Sequence, residues 1–358
     1  MLKFSSIHSA IPEFEQAVCA IFKQLHTINN LVKISFFTEP YSNCHPDHPK
    51  AIIAQYAQES LADVPTGISV IEQPPLGCFL SVEYATYEGD GTICHKHDNG
   101  LDYIIIEEKD KRLLLLNGIS NSHDLTLEEQ AKTAFESVSL ILKKNGFPLN
   151  SIVRQWNYIP GIIAFDKGIQ NYQAFNDVRS RKYNTTSWPS GYPAATGIGV
   201  DGQQLIIDIL AVDGYTTQTI SNHKQVDAHD YSADVLIGQS NGKTSPKFER
   251  AKAVVSGTSG MLFISGTAAI KGEGSDLTDI RQQTLLTLKH IEMLCSSLDN
   301  DSPGIQQLRV YIKREEDFDQ VQKICHEHYP DAAIIYVQAD VCRDELLVEI
   351  EAFATLHV

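Results

Sequence analysis

The chain has 358 residues, 42% hydrophobic and 21% charged, with 29 Lys plus Arg against 45 Asp plus Glu and a formal net charge of −16. That length predicts two packed halves or one large double unit rather than a single small domain. The acidity disfavours a nucleic-acid or anionic-membrane surface, since phosphate binding needs clustered cations, and no apolar run approaches the ~20 residues that span a bilayer. An anionic small molecule would have to be held by local arginines set against the global field.

The first residues, MLKFSSIHSAIPEFEQ, mix acids and polar groups into the opening turns and lack the pattern of an export signal, so a cytoplasmic location is expected. Seven scattered cysteines (Cys19, Cys44, Cys78, Cys94, Cys295, Cys325, Cys342) never form CxxC, which points away from a disulfide framework or a zinc ribbon. Next come the β-like runs ISVIEQ, CFLSVEYATYE and DYIIIEE, which are expected to complete a first half as sheet.

From residue 112 an internal repeat emerges. A strand RLLLLNGIS leads through an amphipathic helix, with Ala134, Val138, Ile141 and Leu142 on one face, to a strand IVRQWNYI. Later, MLFISGTAAI leads through a second helix, with Asp276 or Thr278 as candidate cap, to LRVYIKR. Each pass continues with a helix, 170–183 and then 315–328, and ends in a β-rich run. In this register LIID matches LLVE, and Asp208 falls opposite Glu349. The polar stretch 213–247 reads as a large surface loop. A GxGxxG at Gly197, Gly199 and Gly202 opens onto a strand rather than a helix, so it reads as a hairpin turn and not a dinucleotide site. The predicted class is α+β, with mixed β-sheets and helices packed on one face, divided into halves at 1–212 and 213–358.

The second pass, with ISGTAAI, LRVYIKREEDFDQVQKICHEHYP and LLVEIEAFA, resembles the Rid (YjgF-like, chorismate-mutase-like) fold, preceded by a degenerate copy. The arginine which that family places after the proline is replaced by Asp331, Ala332 and Ala333, which argues against imine deaminase activity. The combination WNYIPGI, NYQAFNDVRSRKY, WPSGYPAATGIG, SPKFERA, FISGTAAI and QADVCRDELLVEIEA, spread over 156–352, is similar to the chorismatase family, which is built on this fold. The resemblance implies cleavage of chorismate to pyruvate and a ring product: 3-hydroxybenzoate, 4-hydroxybenzoate or a trans-dihydroxycyclohexadiene carboxylate. A ligand-binding module that kept the fold without chemistry is the non-enzymatic rival.

Protonating an enol ether carbon requires an acid still protonated near neutral pH, and a strand carboxyl between apolar neighbours loses water and gains proton affinity. By its spacing from Cys342, Glu349 matches the family's catalytic glutamate; Glu351, two residues on, is its competitor. The resemblance assigns substrate binding to Tyr172, Arg179, Tyr231 and Arg250, and a cysteine at the position of Cys342 to the branch that yields 3-hydroxybenzoate through an arene-oxide-like intermediate. Tyr172 and Arg179, seven apart, share a helix face. Trp156 and Trp188 are pocket walls or core. Three clusters raise a metal question (Cys44, His45 and His48; Cys94, His95 and His97; Cys325, His326 and His328), but acid-catalysed ether cleavage requires no metal and no cofactor. The expected partner is the small-molecule substrate, chorismate, and assembly into a homo-oligomer is open.

Overall fold

The structure is a computed structural model that describes residues 1–40, 48–61, 67–232, 244–298 and 303–357. It is a mixed α+β fold in which one strand plan is laid down repeatedly. The second pass of the plan comprises β5 (Thr92–Asp98), β6 (Leu101–Glu107), β7 (Arg112–Ile119), α3 (Leu127–Lys144), β8 (Ile152–Pro160), the short β9 (Phe165–Asp166) and β10 (Ile169–Gln170), α4 (Asn171–Tyr183), β11 (Ala194–Val200) and β12 (Ile206–Asp213). Its sheet has the order β11-β8-β12-β7-β6-β5, with β11 parallel to β8 and the other pairs antiparallel.

The third pass repeats this order strand for strand. It comprises β13 (Thr216–Ile220), β14 (Ala251–Ser256), β15 (Ser259–Ala268), the short β16 (Ile270–Lys271) and β17 (Gly274–Ser275), α5 (Ile280–Ser296), β18 (Gly304–Ile312), α6 (Phe318–His328), β19 (Ala333–Gln338) and β20 (Val348–His357). The sheet order is β13-β14-β15-β20-β18-β19, with β18 and β19 parallel. Asp208 and Glu349 occupy matching places on the two central strands, β12 and β20.

The N-terminal residues do not complete the second sheet as the sequence suggested. Apart from β5 and β6 they form a smaller copy: β1 (Leu2–Ser9), α1 (Phe14–Leu25), β2 (Leu31–Thr38), α2 (His48–Ser60), β3 (Ile68–Glu72) and β4 (Leu80–Tyr87). The order is β1-β4-β2-β3 with β2 and β3 parallel, the same plan without its outer hairpin.

Each sheet carries its own helix pair on one face, because each helix offers one apolar stripe. Separate cores follow: Val18, Ile21 and Phe22 of α1 under the first sheet, Ala134, Val138 and Ile141 of α3 under the second, Leu288, Ile291 and Leu294 of α5 under the third. The opposite faces of all three sheets meet in the middle, where Phe37, Trp156 and Tyr311 belong to one cluster and Phe4, Leu113 and Phe353 to another.

Local signals fix the helix starts. Thr126 accepts from the Glu129 amide while the Glu129 carboxylate accepts from the Thr126 amide at 2.9 Å, a reciprocal cap that starts α3. Helix α5 is capped by Asp279, which accepts from the Gln282 amide at 2.9 Å, and not by Asp276 or Thr278. Asp276 instead accepts from the Thr278 amide and pairs with Lys271. Part of the expected 213–247 loop is strand, β13 at the sheet edge.

The GxGxxG reading as a hairpin turn is also corrected. Strands β11 and β12 are not neighbours, because β8 lies between them. Its glycines serve close approach: a Cβ on Gly199 would stand 2.8 Å from the Asp340 carbonyl, and one on Gly197 would stand 3.0 Å from the Tyr172 ring.

Candidate active site

All six residues singled out for chemistry or binding line one cleft of about 800 Å³, including its open mouth. The second sheet's unit contributes α4, with Tyr172, Gln173, Asn176 and Arg179, and β11, with Gly197. The third contributes Tyr231, Phe248, Arg250, Gly266, Cys342, Arg343 and Glu349. The site therefore lies between two copies of the repeat within one chain.

Glu349 is buried on β20, opposite Tyr311 of β18 on one side and Ala268 of β15 on the other. Room for its carboxyl comes from Gly266, at a point where β15 slips register against β20: a Cβ there would stand 2.0 Å from Glu349 Oε1. Among the described residues no hydrogen bond to the carboxyl is found. Burial, and then the neighbouring Glu351 charge, push its pKa up to about 8 against the pull of Arg154 and Arg250. At neutral pH it is a carboxylic acid.

Glu351, on the same strand face, has the opposite fate. It accepts from Arg154 at 2.7 Å, from the Trp156 indole at 2.9 Å and from Thr196, and pairs with Arg309 at 3.1 Å. Burial alone would raise its pKa, but Arg309 and Arg154 hold it below the usual carboxylate range.

The two cleft arginines are preorganised. Arg179 donates to Asn176 Oδ1 at 2.6 Å, and its guanidinium stacks near Phe175 and Phe248 at 5.3 and 5.9 Å. Arg250 donates to the Val226 carbonyl and, at 2.7 Å, to the Tyr231 hydroxyl; Phe248 lies 5.8 Å away. One ring thus packs between both cations. In each arginine the buried Nε has no partner among the described residues, leaving a donor for a ligand anion. Tyr172 is half-buried in the cleft wall, and desolvation raises its phenol pKa and holds it neutral. Cys342 is likewise a neutral thiol, pushed up to about 12 by burial and by the Glu349 charge.

Several residues in or beside the cleft were not singled out from sequence. Phe248 and Gly266 sat inside quoted motifs, but their packing duties needed coordinates. Arg343 lines the cleft 5.5 Å from the Tyr231 ring and donates to the Glu273 carbonyl at 2.9 Å. The two tryptophans do not line it: Trp156 binds Glu351, and Trp188 donates to the Tyr183 carbonyl.

Of the suspected metal clusters, Cys44 and His45 lie outside the described residues. Cys94, His95 and His97 lie on β5, where side chains alternate between faces, and Cys325 packs in the core while His328 bonds the Ile324 carbonyl. Among the described residues one trio, Asp227, His229 and Asp230, has ligand atoms within 4.8 Å of one another.

The chain is similar in sequence and in fold to known proteins. A family model described as chorismatase FkbO/Hyg5-like, N-terminal, matches residues 82–211, and one described as endoribonuclease L-PSP matches residues 246–356. A 3-hydroxybenzoate synthase of Streptomyces hygroscopicus is 32% identical over 240 residues, covering 62% of this chain and 68% of the relative. The chain belongs to the chorismatase family.

A second relative, a chorismatase of Streptomyces hygroscopicus, is 30% identical over 230 residues, covering 61% of this chain and 64% of the relative. The crystal structure of a chorismatase superposes with a TM-score of 0.71 at 20% identity, covering 99% of this chain and 98% of the other, so the fold extends over nearly all of both. The chain is accordingly an enzyme of the chorismatase family, with a mixed α+β fold. No helix among its described residues is long and apolar enough to cross a membrane.

Proposed function

We propose that this chorismatase-family enzyme cleaves the enolpyruvyl ether of chorismate to pyruvate and 3-hydroxybenzoate, with Glu349 as the general acid. The observation that carries the proposal is the isolated Glu349 carboxyl, protonated near neutral pH, in a cleft that also presents Arg179 and Arg250. Chorismate carries two carboxylates, and the two stacked guanidinium groups suit them. Tyr172 and Tyr231 donate hydrogen bonds to the same ligand.

Glu349 delivers its proton to the terminal methylene carbon, which becomes a methyl group, and the positive charge is shared with the ether oxygen. Breaking the bond between the ring carbon and that oxygen then leaves the oxygen with pyruvate and the positive charge on the ring. For the hydroxybenzoate the adjacent ring hydroxyl closes on that carbon as an arene oxide, which opens and aromatises, and the one proton lost returns to the Glu349 carboxylate. For the hydroxybenzoate product chorismate simply divides into two molecules with no net water, whereas the dihydroxylated diene requires one water. Cys342, a neutral thiol in the cleft wall, supports the anhydrous branch by presenting a soft, weakly polar group where a hydrolytic enzyme would admit water. The relative named 3-hydroxybenzoate synthase supports the same product.

The test is to incubate the purified protein with chorismate, follow pyruvate through a coupled dehydrogenase, and identify the ring product by mass and by chromatography against 3- and 4-hydroxybenzoate. Glu349→Gln should abolish pyruvate release in a folded protein. Full turnover by that variant would remove Glu349 from the chemistry, and a dihydroxylated diene in place of hydroxybenzoate would overturn the product assignment.

A further inference from the structure

The repeat makes three residues equivalent on the inner strands: Lys33 on β2, Arg154 on β8 and Arg309 on β18. Three others are equivalent on the central strands: Glu83, Asp208 and Glu349 lie opposite Ser35, Trp156 and Tyr311 in matching register. Two of the three carboxylates are taken by a cation from the neighbouring copy, Lys33 to Asp208 and Arg309 to Glu83, each at 2.6 Å. The pattern runs around the three sheets and predicts that Arg154 should take Glu349. It does not. Arg154 binds Glu351 at 2.7 Å, one strand period further along.

We propose that Glu351 is a positioning residue for the reaction: by holding Arg154 it leaves the Glu349 carboxyl without an ionic partner. This rests on Glu349 acting as the acid. Glu351 is suited to the task because three donors converge on it, from Arg154, Trp156 and Thr196, and Arg309 pairs with it at 3.1 Å. Thr196 locks the arrangement, since its hydroxyl also accepts from Arg154 at 2.7 Å and from the Gly266 amide at 3.1 Å. Nη1 of Arg154 has no partner among the described residues, so the guanidinium retains a free donor beside the site.

The groups that bear on the Glu349 proton are few. Glu351 lies on its own strand, Arg154 on β8, Arg250 at the foot of β14, Tyr172 and then Arg179 on α4, and Cys342 in the β19–β20 loop; Tyr311 and Arg309 flank it on β18. Strands β11 and β15 contribute Thr196 and Gly266, which do not titrate. Removing the Glu351 charge takes away a like charge and releases a cation, and both changes favour ionised Glu349.

The test is the pH profile of kcat/KM, which reports the free enzyme and falls as a general acid ionises. Glu351→Gln should move the falling limb at least about one pH unit lower, so that activity at pH 8 drops about fivefold or more relative to wild type and recovers toward pH 6. Glu351→Asp, which keeps the charge, should restore the wild-type midpoint. Arg154→Gln should move the limb the other way, to higher pH, while Arg309 still satisfies Glu351. A uniform loss at every pH with an unmoved midpoint would mean that Glu351 is only structural. Should Glu351→Gln prove unfolded or inactive, Arg154→Gln carries the test, and an unmoved or lowered limb there overturns the proposal. Turnover by Glu349→Gln would instead sink the assignment of the acid, so the two failures are distinguishable.

Discussion

Replacing Gly266 with alanine tests whether the Glu349 carboxyl must sit where the structure puts it. The added Cβ would stand 2.0 Å from Oε1, 2.9 Å from the carboxyl carbon and 3.1 Å from Thr196 Cγ2. Something must shift, and the carboxyl is the end of a side chain while the bulged β15 backbone is held on both sides, by β14 and β20. Restoring contact distance moves the carboxyl by more than about 1 Å, and a misplacement of that size costs on the order of 100-fold in rate. Overpacking of this kind also costs about 1–3 kcal/mol of stability. The expected result in the pyruvate-release assay is kcat lowered by about two orders of magnitude with KM little changed, because Arg179 and Arg250 are untouched, and a modest fall in Tm. Gly274→Ala is the control, since its Cβ would meet nothing closer than the Lys271 carbonyl at 3.9 Å. A folded Gly266→Ala enzyme within about threefold of wild-type kcat would refute the reasoning.

Lys33→Met should destabilise the protein by about 3–5 kcal/mol in urea unfolding, because Asp208 is left buried with only Ser69 and the Gly118 amide as donors, while kcat per folded molecule stays the same. A loss below about 1 kcal/mol would show that the ion pair between the first two sheets is dispensable. Arg179→Lys should raise KM for chorismate by roughly tenfold or more, since a lysine cannot reproduce the planar fork stacked on Phe175 and Phe248; an unchanged KM would exclude Arg179 as a carboxylate ligand. Glu349 also predicts a pH dependence of stability. Its folded-state pKa of about 8 lies above the unfolded value, so the stability it contributes is complete below the unfolded pKa of about 4.5 and is lost as pH rises through about 8. Glu349→Gln lacks this loss, so its Tm relative to wild type should climb between pH 5 and pH 8 or above; a constant difference would mean that Glu349 titrates like an exposed glutamate.

The N-terminal copy of the repeat escaped the sequence because LKFSSIHS and LVKISFFT share almost no wording with their counterparts and lack the outer hairpin. What they keep is a register. The two later copies were legible because their helices and flanking strands preserve both period and spacing, down to Asp208 matching Glu349. The hairpin reading of the glycine motif failed for a topological reason: nothing in residues 194–213 announces that β8, some 40 residues earlier, inserts between β11 and β12.

By itself the sequence determined the class of fold, the duplicated plan and the identity of the six residues that the cleft gathers, since strand and helix periods place side chains on faces and the family motifs single out positions on them. Only the tertiary structure decided which of two carboxylates on one strand face stays protonated. Glu349 and Glu351 are alike in residue type, burial and local pattern. They differ because Arg154, 197 residues away in sequence from Glu351 and supplied by another copy of the repeat, reaches one and not the other. Local sequence cannot encode that distance, and in a buried site it is the placement of such charges that sets where the proton resides.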